Sequence, residues 1–141
     1  MDKNNFHLAL PTNDLGQIKE FYSDRLGCAM GRTDNTWLDV DFFGHQLTFQ
    51  EIAMPLNKTP NPTHPLLGYP LAHAGIILSA SEWKKMKDFC EAKSISLMFG
   101  PQTLMEGTNG EQQVFMISDP DENVWEFKCF KDPGNVFLSN E

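Results

Sequence analysis

Apolar residues recur along this chain with two different periods, and the changes between them mark out its elements. Residues 6–11, FHLALP, have strand character. After them Leu15, Ile18, Tyr22 and Leu26 stand 3, 4 and 4 apart, which is one face of a helix. Thr12 or Asn13 is its expected N-cap, and Gly27 closes it. A short strand near CAMGR follows, then TWLDVDFF, a tight turn at Gly44, and HQLTFQEI. In TWLDVDFF the alternation is strict: Leu38, Val40 and Phe42 face one way, Trp37, Asp39 and Asp41 the other.

Residues 53–70 contain Pro55, Pro60, Pro62 and Pro65, with Pro70 at the border, and almost no periodicity, so they read as a connector. Beyond it the same order returns. LAHAGIIL, residues 71–78, reads as a buried strand, and Ser81 as the cap of a helix carrying Trp83, Met86, Phe89 and Cys90 on one face. ISLMFG is a short strand, GTNGE a loop, QQVFMISD a strand, DPDEN a turn and VWEFKCF a strand. The last ten or so residues read as a loose tail. The expected architecture is therefore α+β, with two βαβββ modules in one domain spanning 1–141. Module one covers about 5–52, the linker 53–70, module two about 71–130 and the tail 131–141.

The repeat is one of pattern. His7 and His73 both stand near the start of a module's first strand, and Asp41–His45 and Asp119–Asn123 are both turns before a last strand. Phe49 and Phe127 fall at the same offset after those turns.

Composition narrows the function classes. An apolar fraction of 40%, with 11 Phe, 3 Trp and 2 Tyr, supplies a real core for 141 residues. A net charge of −8 without a basic footprint argues against nucleic acid or an anionic membrane surface as partner. No apolar run approaches the roughly 20 residues of a membrane span, and the N-terminus lacks the apolar core of a secretory signal. Cys28, Cys90 and Cys129 are scattered, odd in number and without CxxC pairing, as expected of reduced thiols in a cytoplasmic protein.

Taken alone, His73 in an apolar strand reads as a hydrogen-bonded core residue. Its match to His7 changes that reading, because paired modules would let both imidazoles serve one cavity. Glu126 is the third candidate. In NVWEFK the aromatic residues Trp125 and Phe127 belong on the helix, which turns Glu126 to the opposite face. An inward carboxylate needs a partner or a cation, although Lys128 or Lys131 could also pair with it at the surface. Two imidazoles and a carboxylate suit a divalent metal.

Four segments, FHLALPTNDLGQIKEFYSDRLGC, FFGHQ, AHAGIIL and DPDENVWEF, carry a family resemblance over about residues 5–130. The chain resembles the vicinal oxygen chelate superfamily, which includes glyoxalase I, extradiol ring-cleaving dioxygenases, fosfomycin-resistance enzymes and bleomycin-resistance proteins. The FFGHQ turn is similar to that of a glyoxalase-like subgroup. The resemblance implies modules pairing around a metal-binding cavity, with His7, His73 and Glu126 as ligands of one divalent ion: Fe, Mn, Ni or Zn. The fourth ligand position is open. The similar subgroup usually shows histidine where this chain has Gln50, whereas the internal repeat matches Glu126 with Thr48. Neither is a carboxylate or an imidazole, which speaks against an isomerase using two metal-bound carboxylates and for the three-ligand dioxygenase pattern. The implied protein is a homodimeric metalloenzyme whose small-molecule substrate chelates the metal through vicinal oxygens, with Glu126 also moving protons. The alternative is a non-catalytic small-molecule binder of the bleomycin-resistance kind. His45 reads as a turn residue, His64 as a loop residue, and Asp39 or Asp41 as a group that could orient a ligand histidine.

Overall fold

Eight strands and two α-helices follow one another in two similar series in the structure, a computed structural model that describes residues 3–139. The first series is β1 (His7–Thr12), α1 (Leu15–Lys19), β2 (Ala29–Thr33), β3 (Trp37–Phe42) and β4 (His45–Glu51). The second is β5 (Ala74–Ile77), α2 (Ala80–Ala92), β6 (Phe99–Leu104), β7 (Gln112–Ser118) and β8 (Val124–Phe130). Each series makes its own four-stranded sheet, ordered β1-β4-β3-β2 and β5-β8-β7-β6. The chain is thus an α+β protein of two βαβββ modules. The residues fall into two compact units, the first ending at Pro60 and the second beginning at Asn61.

In the first unit the helix is capped by Asp14, whose side chain accepts from the Gln17 N–H, rather than by Thr12 or Asn13. Thr12 instead exchanges hydrogen bonds with Asp14, and the Asn13 amide ties down the Ile52 and Met54 carbonyls. Past Lys19 the helix widens into a π-helical turn, Glu20–Arg25, that ends at Gly27 with φ 76°. Its apolar face buries Ile18, Phe21, Tyr22 and Leu26 against Leu38, Val40, Phe42, Leu47 and Phe49. Tyr22 lies between the rings of Phe42 and Phe49, at 6.1 and 5.1 Å. Each such buried side chain contributes about 1.5–3 kcal/mol relative to leaving it in water. The β3–β4 hairpin turns on Phe43 (φ 53°) and Gly44 (φ 83°), and the Asp41 carboxylate accepts the Gly44 N–H at 2.8 Å. Two successive residues at positive φ make a type I′ turn, whose twist suits the hairpin.

The second unit repeats the plan with different details. Ser79, not Ser81, caps α2, in a reciprocal capping box with Glu82. Trp83 and Cys90 are buried, and the Trp83 indole donates to the Phe127 carbonyl of β8 at 2.9 Å. Phe115 stacks on Phe127 beneath the helix. The turn before β8 is held as its counterpart is, by an aspartate: Asp119 accepts from the Asp121 and Asn123 N–H groups and the Asn123 amide.

Two further expectations need correction. LAHAGIIL is not a fully buried strand, since only Ala74–Ile77 is extended, His73 precedes it, and Gly75 and Ile77 are exposed. The second strand of this module begins at Phe99, later than ISLMFG suggested. Within the expected tail, Asp132 caps a short 3₁₀ turn, Pro133–Asn135, and the Asn135 amide reaches the Asn109 carbonyl. The proline-rich connector also has structure where it joins the second unit. Asn61 exchanges hydrogen bonds with Ala72, and Thr63 bridges Pro70. None of the helices among the described residues is long and apolar enough to cross a membrane.

The capping assignment is directly testable. Ser79→Ala is expected to lower stability by about 1 kcal/mol, read as a shift in the urea midpoint, while Ser81→Ala stays within about 0.5 kcal/mol of wild type. Equal effects of the two substitutions would return the cap to Ser81.

Candidate metal centre

Alternation along β8 separates two kinds of side chain. Trp125, Phe127 and Cys129 are buried toward α2, and Glu126 and Lys128 take the other face. Glu126 is nevertheless only 8% exposed. The cause lies in the neighbouring strand. β5 runs parallel to β8 with Gly75 opposite Glu126, and any Cβ at 75 would overlap the Glu126 carbonyl oxygen. Glycine is therefore what lets this strand come up against Glu126.

His73 stands immediately before β5. Its Nδ1 is 2.8 Å from the Pro70 carbonyl oxygen, and a carbonyl only accepts, so Nδ1 carries the proton there. In the neutral ring this leaves the Nε2 lone pair bare, 3.8 Å from Glu126 Oε2. A ligand histidine fixed through Nδ1–H to a backbone carbonyl is the arrangement that presents Nε2 to a metal. The ring plane is set by Tyr69, which meets His73 edge-on at 6.0 Å and packs between His64 and Phe99. On its other side the Glu126 carboxylate faces Lys128, with Nζ 3.3 Å from Oε1. Lys131 pairs with Glu111 instead.

The remaining predicted ligands belong to the first unit. His7 is exposed at the start of β1, in parallel register with Gln46 of β4. Gln50 lies four ladder positions further on, opposite Pro11, roughly 13 Å along the strand direction. Its side-chain amide donates to the Thr36 carbonyl at 3.2 Å. Thr48 occupies the position that Glu126 has in the second sheet: two residues past the histidine level, Ala9 pairs with Thr48 as Gly75 pairs with Glu126. The Thr48 hydroxyl is committed, donating to Asp39 Oδ1 at 2.6 Å. Among the described residues, neither unit gathers three or more His, Cys, Asp or Glu side chains into a metal cage. His73 and Glu126 fit a divalent ion as two donors of complementary type.

Asp39 and Asp119 are also buried acids; Asp119 holds the turn before β8, and the surroundings of Asp39 differ again. Burial alone would raise its pKa, but hydrogen bonds from Thr48 and Gln46 and the Arg32 guanidinium at 3.6 Å outweigh this and hold it below the usual carboxylate range. It orients no histidine within its unit. Arg32 in turn lies over the Trp37 ring. His64 accepts the Leu66 and Leu67 N–H groups, and His45 accepts the Phe6 N–H, so both are turn-holding residues. The Cys28 and Cys90 thiols are pushed up to about 11, chiefly by burial, which keeps them protonated and unreactive. The sequence reading missed Gly75, Pro70 and Tyr69 as the frame of the histidine. A glycine inside an apolar strand was the available signal.

Two outcomes follow. Gly75→Ala is expected to cost about 2–4 kcal/mol, because β5 must move away from β8; a wild-type denaturation midpoint would show that the strands are not pressed together there. Asp39→Asn is expected to lose about 1–3 kcal/mol at neutral pH. Because the folded pKa of Asp39 lies below the unfolded one, its contribution is complete above about pH 4 and fades as pH falls further. The gap between wild type and Asp39→Asn should therefore close in acid, and a pH-independent gap would contradict the assignment.

Among solved structures, a glyoxalase/bleomycin resistance protein/dioxygenase from Alicyclobacillus acidocaldarius is 26% identical, with TM-score 0.80 over 95% of this chain and 96% of that one. The fosfomycin resistance protein FosX from Listeria monocytogenes shares the fold at 13% identity and TM-score 0.63, covering 96% of this chain and 100% of its own. A glyoxalase/dioxygenase from Nostoc punctiforme does so at 17% identity and TM-score 0.62, covering 92% of each. No curated protein matched the sequence. The family model for the Glyoxalase/Bleomycin resistance protein/Dioxygenase superfamily matches residues 6–127, and the chain belongs to that superfamily.

Proposed function

We propose that this protein is a metal-dependent enzyme of the glyoxalase or dioxygenase type, acting on a small molecule that chelates the ion through neighbouring oxygens. The observation that supports it best is the His73–Glu126 pair: an imidazole with Nδ1 anchored and Nε2 bare, beside a buried carboxylate. A buried acid and a fixed histidine at this spacing are costly to maintain for packing alone. His7 and Gln50, on the first unit, enter the proposal through the family resemblance, as does the glyoxalase-like subgroup suggested by FFGHQ. The bound Fe, Mn, Ni or Zn ion would act as a Lewis acid on the chelated oxygens. Glu126 would hold the ion and move a proton between its carboxylate and the substrate. The expected setting is a cytoplasmic homodimer, in keeping with three separate thiols.

The second reading is a non-catalytic binder on the same scaffold. It is favoured by one contact, the Lys128 ammonium on Glu126, which partly neutralises the carboxylate without an ion.

Metal content and metal-dependent melting distinguish the two. Protein purified without chelator or affinity-tag nickel is expected to carry one divalent ion per chain and to melt higher with added Mn²⁺, Fe²⁺, Ni²⁺ or Zn²⁺. His73→Ala should remain folded and lose the ion, and His7→Ala should weaken binding by about 10–100-fold or more. Gln50→His should tighten the site if residue 50 touches the ion. A wild type with no metal and no metal-dependent shift would leave the binder as the surviving reading.

A further inference from the structure

We infer that Lys128 is a placeholder cation: without metal, its ammonium sits on Glu126, and an incoming ion must take the carboxylate from it. The inference rests on reading His73 and Glu126 as metal ligands. Residues 126 and 128 share one face of β8, so the lysine stem has only to bend back along its own strand to reach the acid. Its Nζ lies 3.3 Å from Glu126 Oε1 and 5.7 Å from the centre of the Phe130 ring. His73 approaches the other oxygen, Oε2. The carboxylate is thus addressed from two sides, by the lysine ammonium on one and an imidazole nitrogen on the other.

The neighbours leave little choice of partner. Across the sheet, Glu126 pairs with Met116 and Gly75, and Lys128 pairs with Val114 and Ile77, none of which carries charge. Among the described residues, the cations within ion-pair range of Glu126 are Lys128 and, when protonated, His73. A carboxylate taken out of water in such surroundings calls for an opposite charge beside it. Lys128 supplies it, half-buried, with 29% of its side chain exposed. A divalent ion at Nε2 and Oε2 would meet a carboxylate already drawn toward an ammonium, and the two cations repel. Lys128 therefore does opposite things in the two states. It supports the metal-free fold, and it lowers the affinity for the ion.

Those opposite signs separate the idea from a merely structural role. Wild type, Lys128→Met and Lys128→Arg are titrated with Mn²⁺ by calorimetry and melted with and without Mn²⁺. Lys128→Met is expected to melt lower than wild type without metal, to bind Mn²⁺ about tenfold tighter, and to gain more in melting temperature from the ion. Lys128→Arg keeps the charge and should bind Mn²⁺ as wild type does. Lys128→Gln, with a polar end, is the second neutral variant should the Met variant fail to fold. Wild-type binding combined with equal or weaker binding by the neutral variants overturns the placeholder role alone. A wild type that takes up none of Mn²⁺, Fe²⁺, Ni²⁺ or Zn²⁺ overturns the metal reading and this inference with it.

Discussion

Each sheet of this protein is completed by a parallel pairing between its module's first and last strands, and most other features follow from that pairing. Parallel neighbours cannot be joined by a hairpin; the chain must leave the first strand, cross over and return. Here the crossover holds a helix and two antiparallel strands, and the helix buries one face of the sheet. The opposite face then has no helix of its own. In the second unit the pairing sets Gly75 against Glu126 and leaves His73 just beyond the end of the ladder. The imidazole reaches the carboxylate because β5 is short and begins one residue too late to include it.

The two sheets treat a buried acid on the face away from the helix in different ways. Asp39 is held from within its sheet, by Thr48 on one oxygen and by Gln46 and Arg32 on the other. Both oxygens are served, and the charge is stabilised where it stands. Glu126 has an ammonium near one oxygen, and near the other only an imidazole nitrogen beyond hydrogen-bond distance, at 3.8 Å. The first arrangement is closed and structural. The second leaves the carboxylate between an ammonium and an imidazole nitrogen, neither of them held to it by a neutral hydrogen-bond donor of the sheet.

The fold was legible because its signals are local and repeated. The helix faces of Ile18–Tyr22–Leu26 and Trp83–Cys90 show the helical period, TWLDVDFF the strand period, and Gly44 and the DPDEN segment the turns between last strands. The caps were misread because Thr12, Asn13, Asp14, Ser79 and Ser81 are all competent, and only backbone direction decides which side chain faces a free N–H. His73 and Glu126 could be named because the repeat and the alternation single them out. What surrounds them could not. Pro70 holds His73 through a carbonyl, an interaction no side chain announces, and Tyr69 acts through a ring contact made by a loop without periodicity. The buried setting of Asp39 depends on cross-strand register between Asp39 and Thr48, which alternation alone does not supply.

That register bears on position 48, the counterpart of Glu126 in the first sheet. Thr48 stands where the repeat would put a second Glu126, and its direct cross-strand partner is Asp39, whose counterpart opposite Glu126 is Met116. Side chains opposite one another in an antiparallel pair have Cβ atoms only about 4.5–5.5 Å apart, where like charges destabilise. A glutamate at 48 would therefore press a second carboxylate against a buried one that has just lost its strongest donor. The threonine and the aspartate go together: of the two inner strands, the sheet can carry its acid on β3 or on β4, but not on both at these paired positions without a cation between them. In this chain the first sheet carries its acid on β3 and closes it with hydrogen bonds. Chemistry that depends on two metal-bound carboxylates at repeat-related positions thus conflicts with two neighbouring residues rather than one, Thr48 and Asp39.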